Sequence, residues 1–149
     1  MIIDGFKRIL LPIDFSEHCD RAAAYAAWFS RACQSTLHLV HVVANPADPL
    51  YEPLEVAYWD MVQHSEEKAR TMLKATATRC LPAGCSPLLK VLQGDPYEKL
   101  MEAIKEIEPD LLVMSTHGRS GLAHLIIGNV AEKMVRHAPC PVFIVRRSG

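Results

Sequence analysis

The feature that most constrains this chain is an alternation of short apolar runs with longer stretches of helical periodicity. The runs cover residues 8–13, 36–43, 88–92, 110–114 and 141–145. Nearly continuous apolar runs of that length fit strands covered on both faces, as in a parallel sheet. Between the first two runs, Ser16 is placed to cap a helix, with Glu17 in its first turn and Ala22, Tyr25, Ala26, Phe29 and Cys33 on one face. A second helix occupies much of 52–80, through Ala57, Met61, Ala69, Met72, Leu73 and Thr76. Asp95-Pro96 opens a third, a cap followed by proline in the first turn, with Tyr97, Leu100, Met101, Ile104 and Ile107 as its stripe. A fourth is expected from about 122 to 137, with Leu122, Ile126, Val130 and Met134 in line and Pro139 and Pro141 preventing its continuation. Strict alternation of strand and helix predicts right-handed crossovers and a doubly wound, open α/β sheet of five parallel strands.

Length and charge narrow the function. A chain of 149 residues is expected to form one domain, with a core large enough to need no staples. A formal net charge of −1 gives no electrostatic footprint for a nucleic-acid backbone. No apolar run is long enough to span a bilayer, and residues 1–8 lack the apolar core of a secretory signal. Five cysteines, at 19, 33, 80, 85 and 140, form no Cys-x-x-Cys pair, and no histidine stands at a zinc-ligand spacing from Cys80 and Cys85. Reduced thiols in a cytoplasmic protein are the expectation, with no membrane, nucleic-acid or metal role.

In a doubly wound sheet, ligands sit outside the carboxyl ends of the strands, where strand order reverses. The residues just after each run are therefore the ones to inspect. After the fourth run come Ser115-Thr-His-Gly-Arg-Ser-Gly121 and, further on, Gly128-Asn129. Gly118, Gly121 and Gly128 permit turns or close approach, and Arg119 can add a charge-assisted bond to a phosphate. Gly128 is expected inside the fourth helical stretch, where glycine costs about 1 kcal/mol against alanine. An ordinary tight turn would leave the same signature. After the first run, Asp14 can accept bonds from ribose hydroxyls or an adenine amine, or can simply order its own turn. The loop 44–53, with Pro46, Pro49 and Pro53, follows the second run and reads as a surface loop.

Taken together, these segments resemble the universal stress protein family. The resemblance rests on Lys7-Arg8-Ile9-Leu10-Leu11-Pro12-Ile13-Asp14-Phe15-Ser16, on His41-Val42-Val43 and on Gly94-Asp95-Pro96. It continues through 115–121 to Gly128 and ends with His137-Ala138-Pro139-Cys140-Pro141-Val142. It implies a Rossmann-like, adenine nucleotide alpha hydrolase-like fold and a homodimer, or a tetramer, joined through the C-terminal strand. In one branch it implies ATP held between the ends of strands one and four. That branch carries Gly-x-x-Gly, nine residues, then Gly and Ser or Thr; here the positions are Ser115, Gly118, Gly128 and Asn129. Ser115 adds a side chain where backbone should approach phosphate, and Asn129 offers an amide in place of a hydroxyl. By the resemblance, Pro12, Ile13 and Asp14 would line the adenosine, and Val42 would offer backbone to adenine. Met114, Ser115, Gly118, Gly128, Asn129 and Val130 would surround ribose and phosphates, with Arg119 and His117 in the same loop.

The expected function is stress response or signalling through bound ATP, ADP or AMP, with or without Mg2+, and an unknown protein partner. An efficient phosphoryl-transfer enzyme would need the lysine-bearing phosphate loop and an acidic metal clamp, and the chain has neither motif; slow hydrolysis stays open. A phosphoacceptor switch built on Asp14 lacks an acidic cluster and its lysine, since the third and fifth runs end in Gln93-Gly94 and Arg146-Arg147. Flavin binding has only fold in its favour. A nucleotide-free, partner-binding dimer is the remaining alternative, because of Ser115 and Asn129.

Overall fold

The computed structural model describes residues 4–44, 55–116 and 127–146, with backbone alone for 55–64. Five strands, β1 (Arg8–Pro12), β2 (Thr36–Val43), β3 (Leu88–Gln93), β4 (Leu111–Ser115) and β5 (Val142–Val145), alternate with four helices. The helices are α1 (Glu17–Cys33), α2 (Glu55–Cys80), α3 (Pro96–Ile107) and α4 (Asn129–His137). All strand pairs are parallel, in the order β3-β2-β1-β4-β5. The sheet thus grows outward from β1 in one direction through β3, then restarts on the other side with β4. That reversal lies between β1 and β4.

Period-two alternation splits each strand between two cores. Ile9, Leu11, Leu37, Leu39, Leu111 and Val113 pack under α1 and α2, beside Ala22, Ala23, Ala26 and Leu73. Leu10, Val40, Leu112 and Met114 face α3 and α4, meeting Leu100, Ile104, Ala131 and Met134. Leu10 and Leu112 are wholly buried, where leucine-to-alanine changes cost about 2–5 kcal/mol. The buried stripe of α1 is mostly alanine, so this helix lies close on the sheet; Tyr25, expected on that stripe, stands at its margin and is 39% exposed.

Local chemistry sets the element ends. Asp95 caps α3 by accepting the Glu98 N–H at 3.0 Å, with Pro96 in the first turn. Gly94 before it has φ +137, a region that favours glycine, and a side chain there would meet Lys99 at 3.0 Å. Ser16 stands at the N-cap of α1, but its side chain makes no cap bond, because its hydroxyl is engaged by Asp14. A helix running unbroken from 122 is not what forms: Gly128 is extended, at φ −71 and ψ 159, and is the N-cap of α4. Glycine there opens the helix rather than interrupting it, which removes the cost expected for a mid-helix glycine. Residues 45–53 of the proline-rich loop and 117–126, with His117, Gly118, Arg119 and Gly121, lie outside the described residues.

Candidate functional site

The carboxyl ends of β1, β2 and β4 open onto a cleft of about 750 Å3. Pockets of about 300–1,000 Å3 are the size that takes small ligands. Pro12, Ile13, Asp14, Val42, Met114, Ser115, Gly128, Asn129 and Val130 all line it. The sequence-expected residues Gly118 and Arg119 fall outside the described residues.

The β1 side is a clamped turn. Ile13 N–H donates to the Val40 carbonyl at 2.8 Å, continuing the β1–β2 ladder one residue past the strand. His41 Nδ1–H donates to the Ile13 carbonyl at 2.6 Å from a buried position on β2. Phe15 follows at φ +62, a left-handed conformation rare for a bulky residue. Between them, Asp14 is gripped through Oδ1, which accepts the Ser16 N–H at 2.9 Å, the Ser16 hydroxyl at 2.6 Å and the Cys19 thiol at 2.7 Å. Burial first, and the Asp14 charge second, push the Cys19 thiol up to about 12. It is therefore a neutral donor rather than a nucleophile.

The β4 side is built by a closed excursion. Thr116 N–H donates to the Val145 carbonyl at 3.2 Å, and Gly128 N–H donates to the Thr116 carbonyl at 2.5 Å. The chain thus leaves β4 at Thr116 and returns beside it to start α4. The first helical bond of α4 runs from Glu132 N–H to the Gly128 carbonyl, and the N-cap residue, a glycine, has no side chain with which to cap the helix. The N–H groups of Asn129, Val130 and Ala131 precede that bond and have no intrahelical acceptor. All three residues line the cleft. Free N–H groups and the positive end of the helix dipole make such a terminus receptive to an anion.

A third wall escaped the sequence reading. Ser65, Lys68, Ala69 and Met72 of α2 line the cleft, as do Asp95, Pro96 and Leu100 at the start of α3. The α2 residues have the spacing of one helical face, with an exposed lysine on it. That mixture of serine, cation and apolar residue on one face was the available signal. Among the described residues, no group of three histidine, cysteine or acidic side chains is arranged to hold a metal ion, and no helix is long and apolar enough to cross a membrane.

An open parallel sheet with a ligand-sized cleft at its switch point defines a doubly wound α/β protein. The model of the universal stress protein family matches residues 5–146. A universal stress protein of Thermus aquaticus, found in the QAH/OAS sulfhydrylase 3′ region, is 35% identical over 142 residues, covering 95% of this chain and 99% of the relative. This chain belongs to the universal stress protein family. Two solved structures share the fold. One is a universal stress protein in complex with cAMP, with a TM-score of 0.62 and 23% identity, covering 97% of this chain and 99% of that one. The other is a universal stress protein family protein from Arabidopsis thaliana with AMP bound, with a TM-score of 0.60 and 21% identity, covering 96% and 93%.

Proposed function

We propose that the cleft binds an adenine nucleotide and that the chain, as one universal stress protein domain in the cytoplasm, serves stress response or signalling without appreciable turnover. The observation that carries this reading is the start of α4, with glycine at its N-cap, which lines the same cleft as Asp14. One end offers N–H donors to phosphate; the other offers a carboxylate to a ribose hydroxyl or the adenine amine. Pro12, Ile13 and Val42 supply apolar surface and backbone for the base. Ser115 adds a hydroxyl beside the phosphates, and Gly118 and Arg119, which follow it in the sequence, are the further candidates that the resemblance names. The cAMP and AMP held by the two structural neighbours support an adenine nucleotide here, with ATP and Mg2+ the first to test.

The experiment is calorimetry with ATP, ADP and AMP, with and without Mg2+, beside analysis of the nucleotide released when purified protein is heat-denatured. Nucleotide at 100 times its dissociation constant should stabilise the fold by about 2.7 kcal/mol. No heat, no released nucleotide and no thermal shift at millimolar concentration overturn the reading in favour of a nucleotide-free partner-binding protein.

The same reading includes a homodimer through β5. This strand ends one edge of the sheet, and an unpaired edge invites pairing with its own copy. Aromatic rings flank it: Phe143 lies 5.4 Å from Tyr25 and 5.1 Å from Phe29, and Trp28, 64% exposed, stacks edge-on against Phe29. Light scattering at micromolar concentration tests it, and a mass of one chain overturns it.

A further inference from the structure

Three donors converge on a single oxygen of Asp14, and one of them is a thiol. Oδ1 accepts from the Ser16 N–H, the Ser16 hydroxyl and the Cys19 Sγ–H, at 2.9, 2.6 and 2.7 Å. No donor among the described residues reaches Oδ2. Cys19 sits in the first turn of α1, is 2% exposed and lines the cleft. Its sulfur also accepts the Asp14 backbone N–H at 3.3 Å. Cys19 therefore holds residue 14 at backbone and side chain together. A carboxylate oxygen offers about two lone pairs, so three donors saturate Oδ1. The remaining oxygen is the one open to a ligand.

We infer that Cys19 is a positioning residue for the nucleotide: its thiol fixes the Asp14 carboxylate so that Oδ2 alone is presented to a donor on the ligand. The role rests on the adenine-nucleotide reading above. The site favours a thiol over an ion here, because its pocket is apolar. Ala22 and Ala23 of α1 and Ile13, just past β1, belong to the same buried cluster, which keeps the group protonated and donating. Serine can make the same bond to Oδ1. Alanine cannot, and would leave the carboxylate held by the two Ser16 donors alone, with no clamp from the α1 side.

The test is a double-mutant cycle read by calorimetry with ATP: wild type, Cys19→Ala, Cys19→Ser, Asp14→Asn and the Asp14→Asn, Cys19→Ala pair, with melting curves for each. Cys19→Ala should weaken ATP binding by roughly tenfold, about the worth of one hydrogen bond to a charged group. Cys19→Ser should restore most of that loss. In the Asp14→Asn background, Cys19→Ala should change affinity no further, because the group it acts through has gone. The infrared S–H band gives a readout that needs no nucleotide: a thiol bonded to a carboxylate absorbs at lowered frequency, and Asp14→Asn should raise it. Failure of wild type to bind any nucleotide overturns the binding reading and this role with it. ATP bound equally well by Cys19→Ala, additive losses in the cycle, or an S–H band indifferent to Asp14→Asn each overturn the role of Cys19 alone.

Discussion

The rings of Phe15 and His41 lie 4.2 Å apart, inclined at 37°. That contact joins the turn after β1 to the end of β2, beside the bond from His41 to the Ile13 carbonyl. It helps to hold Phe15 at φ +62, where an unassisted bulky side chain would not stay. The turn that carries Asp14 is thus held from a neighbouring strand as well as by the bonds that Ser16 and Cys19 make within it.

Phe15 supplies a stability test with an unusual order. Phe15→Ala loses the ring contacts and keeps the left-handed backbone, whereas Phe15→Gly loses the ring but relieves about 1 kcal/mol of backbone strain. Glycine should therefore be the more stable of the two variants, the reverse of its ranking at ordinary positions. Urea unfolding of both variants checks it; alanine equal to or above glycine would show that the turn carries no strain.

Gly128→Asp should move stability and binding in opposite directions. Aspartate is a better N-cap than glycine by a few tenths of a kcal/mol, so α4 should melt slightly higher. The same carboxylate would occupy the free N–H groups and repel phosphate, so nucleotide affinity should fall at least about tenfold, a cost of about 1.4 kcal/mol. The backbone at Gly128, with φ −71, accepts a side chain without strain. Thermal melts and calorimetry on one preparation decide both halves; undiminished affinity would place the phosphates elsewhere.

Cys19 predicts a loss of stability at alkaline pH. Its thiol is held at about 12 by burial and then by the Asp14 charge, whereas in the unfolded chain a thiol ionises near ~8.5. Above that lower value the unfolded state binds fewer protons than the folded one, so stability falls as pH rises, until about 12. By pH ~10 the loss should reach about 2 kcal/mol. Cys19→Ala should remove that part of the slope. Urea midpoints of wild type and variant across pH 7.5 to 10.5 measure it, and parallel curves would contradict a buried neutral thiol.

Ile144→Pro should separate association from folding. The carbonyls of Pro141 and Val145 accept N–H groups of Leu112 and Thr116 on β4. Alternate residues of a strand point the same way, so Phe143 also faces β4, and Val142 and Ile144 turn their N–H groups to the open edge. Proline at 144 removes an edge donor and should yield a folded monomer. Proline at 143 would strike the β4 ladder and cost stability in the monomer itself. Light scattering with circular dichroism distinguishes them; a dimer that survives Ile144→Pro does not pair through β5.

Much of this architecture was legible because each strand is a dense apolar run and each helix carries a period the strands lack. The runs at 36–43 and 88–92 place β2 and most of β3, and Asp95-Pro96 marks the start of α3 as a true cap. Three things were hidden, each for a physical reason. Gly128 lay within a helical pattern, and periodicity does not reveal that a glycine is extended. Ser16 looked like a cap because the residue type fits, while Asp14, two residues earlier, competes for its hydroxyl. The α2 wall of the cleft, with Ser65 and Lys68, depends on how α2 lies across the sheet, which no local pattern encodes.

The position of β1 has a consequence for the order in which the molecule is made. It is synthesised first among the strands, yet it ends in the middle of the sheet, and its β4 edge stays open until three helices and two strands have followed. A growing chain halted before β4 carries a strand that is apolar after Arg8 and has an unpaired side, the kind of surface that draws in chaperones or other nascent chains. Nor can such a chain gain from nucleotide, because the anion-receptive start of α4 has not yet left the ribosome. On the nucleotide reading, ligand would thus stabilise chains that have reached α4 and do nothing for those that stop short of it.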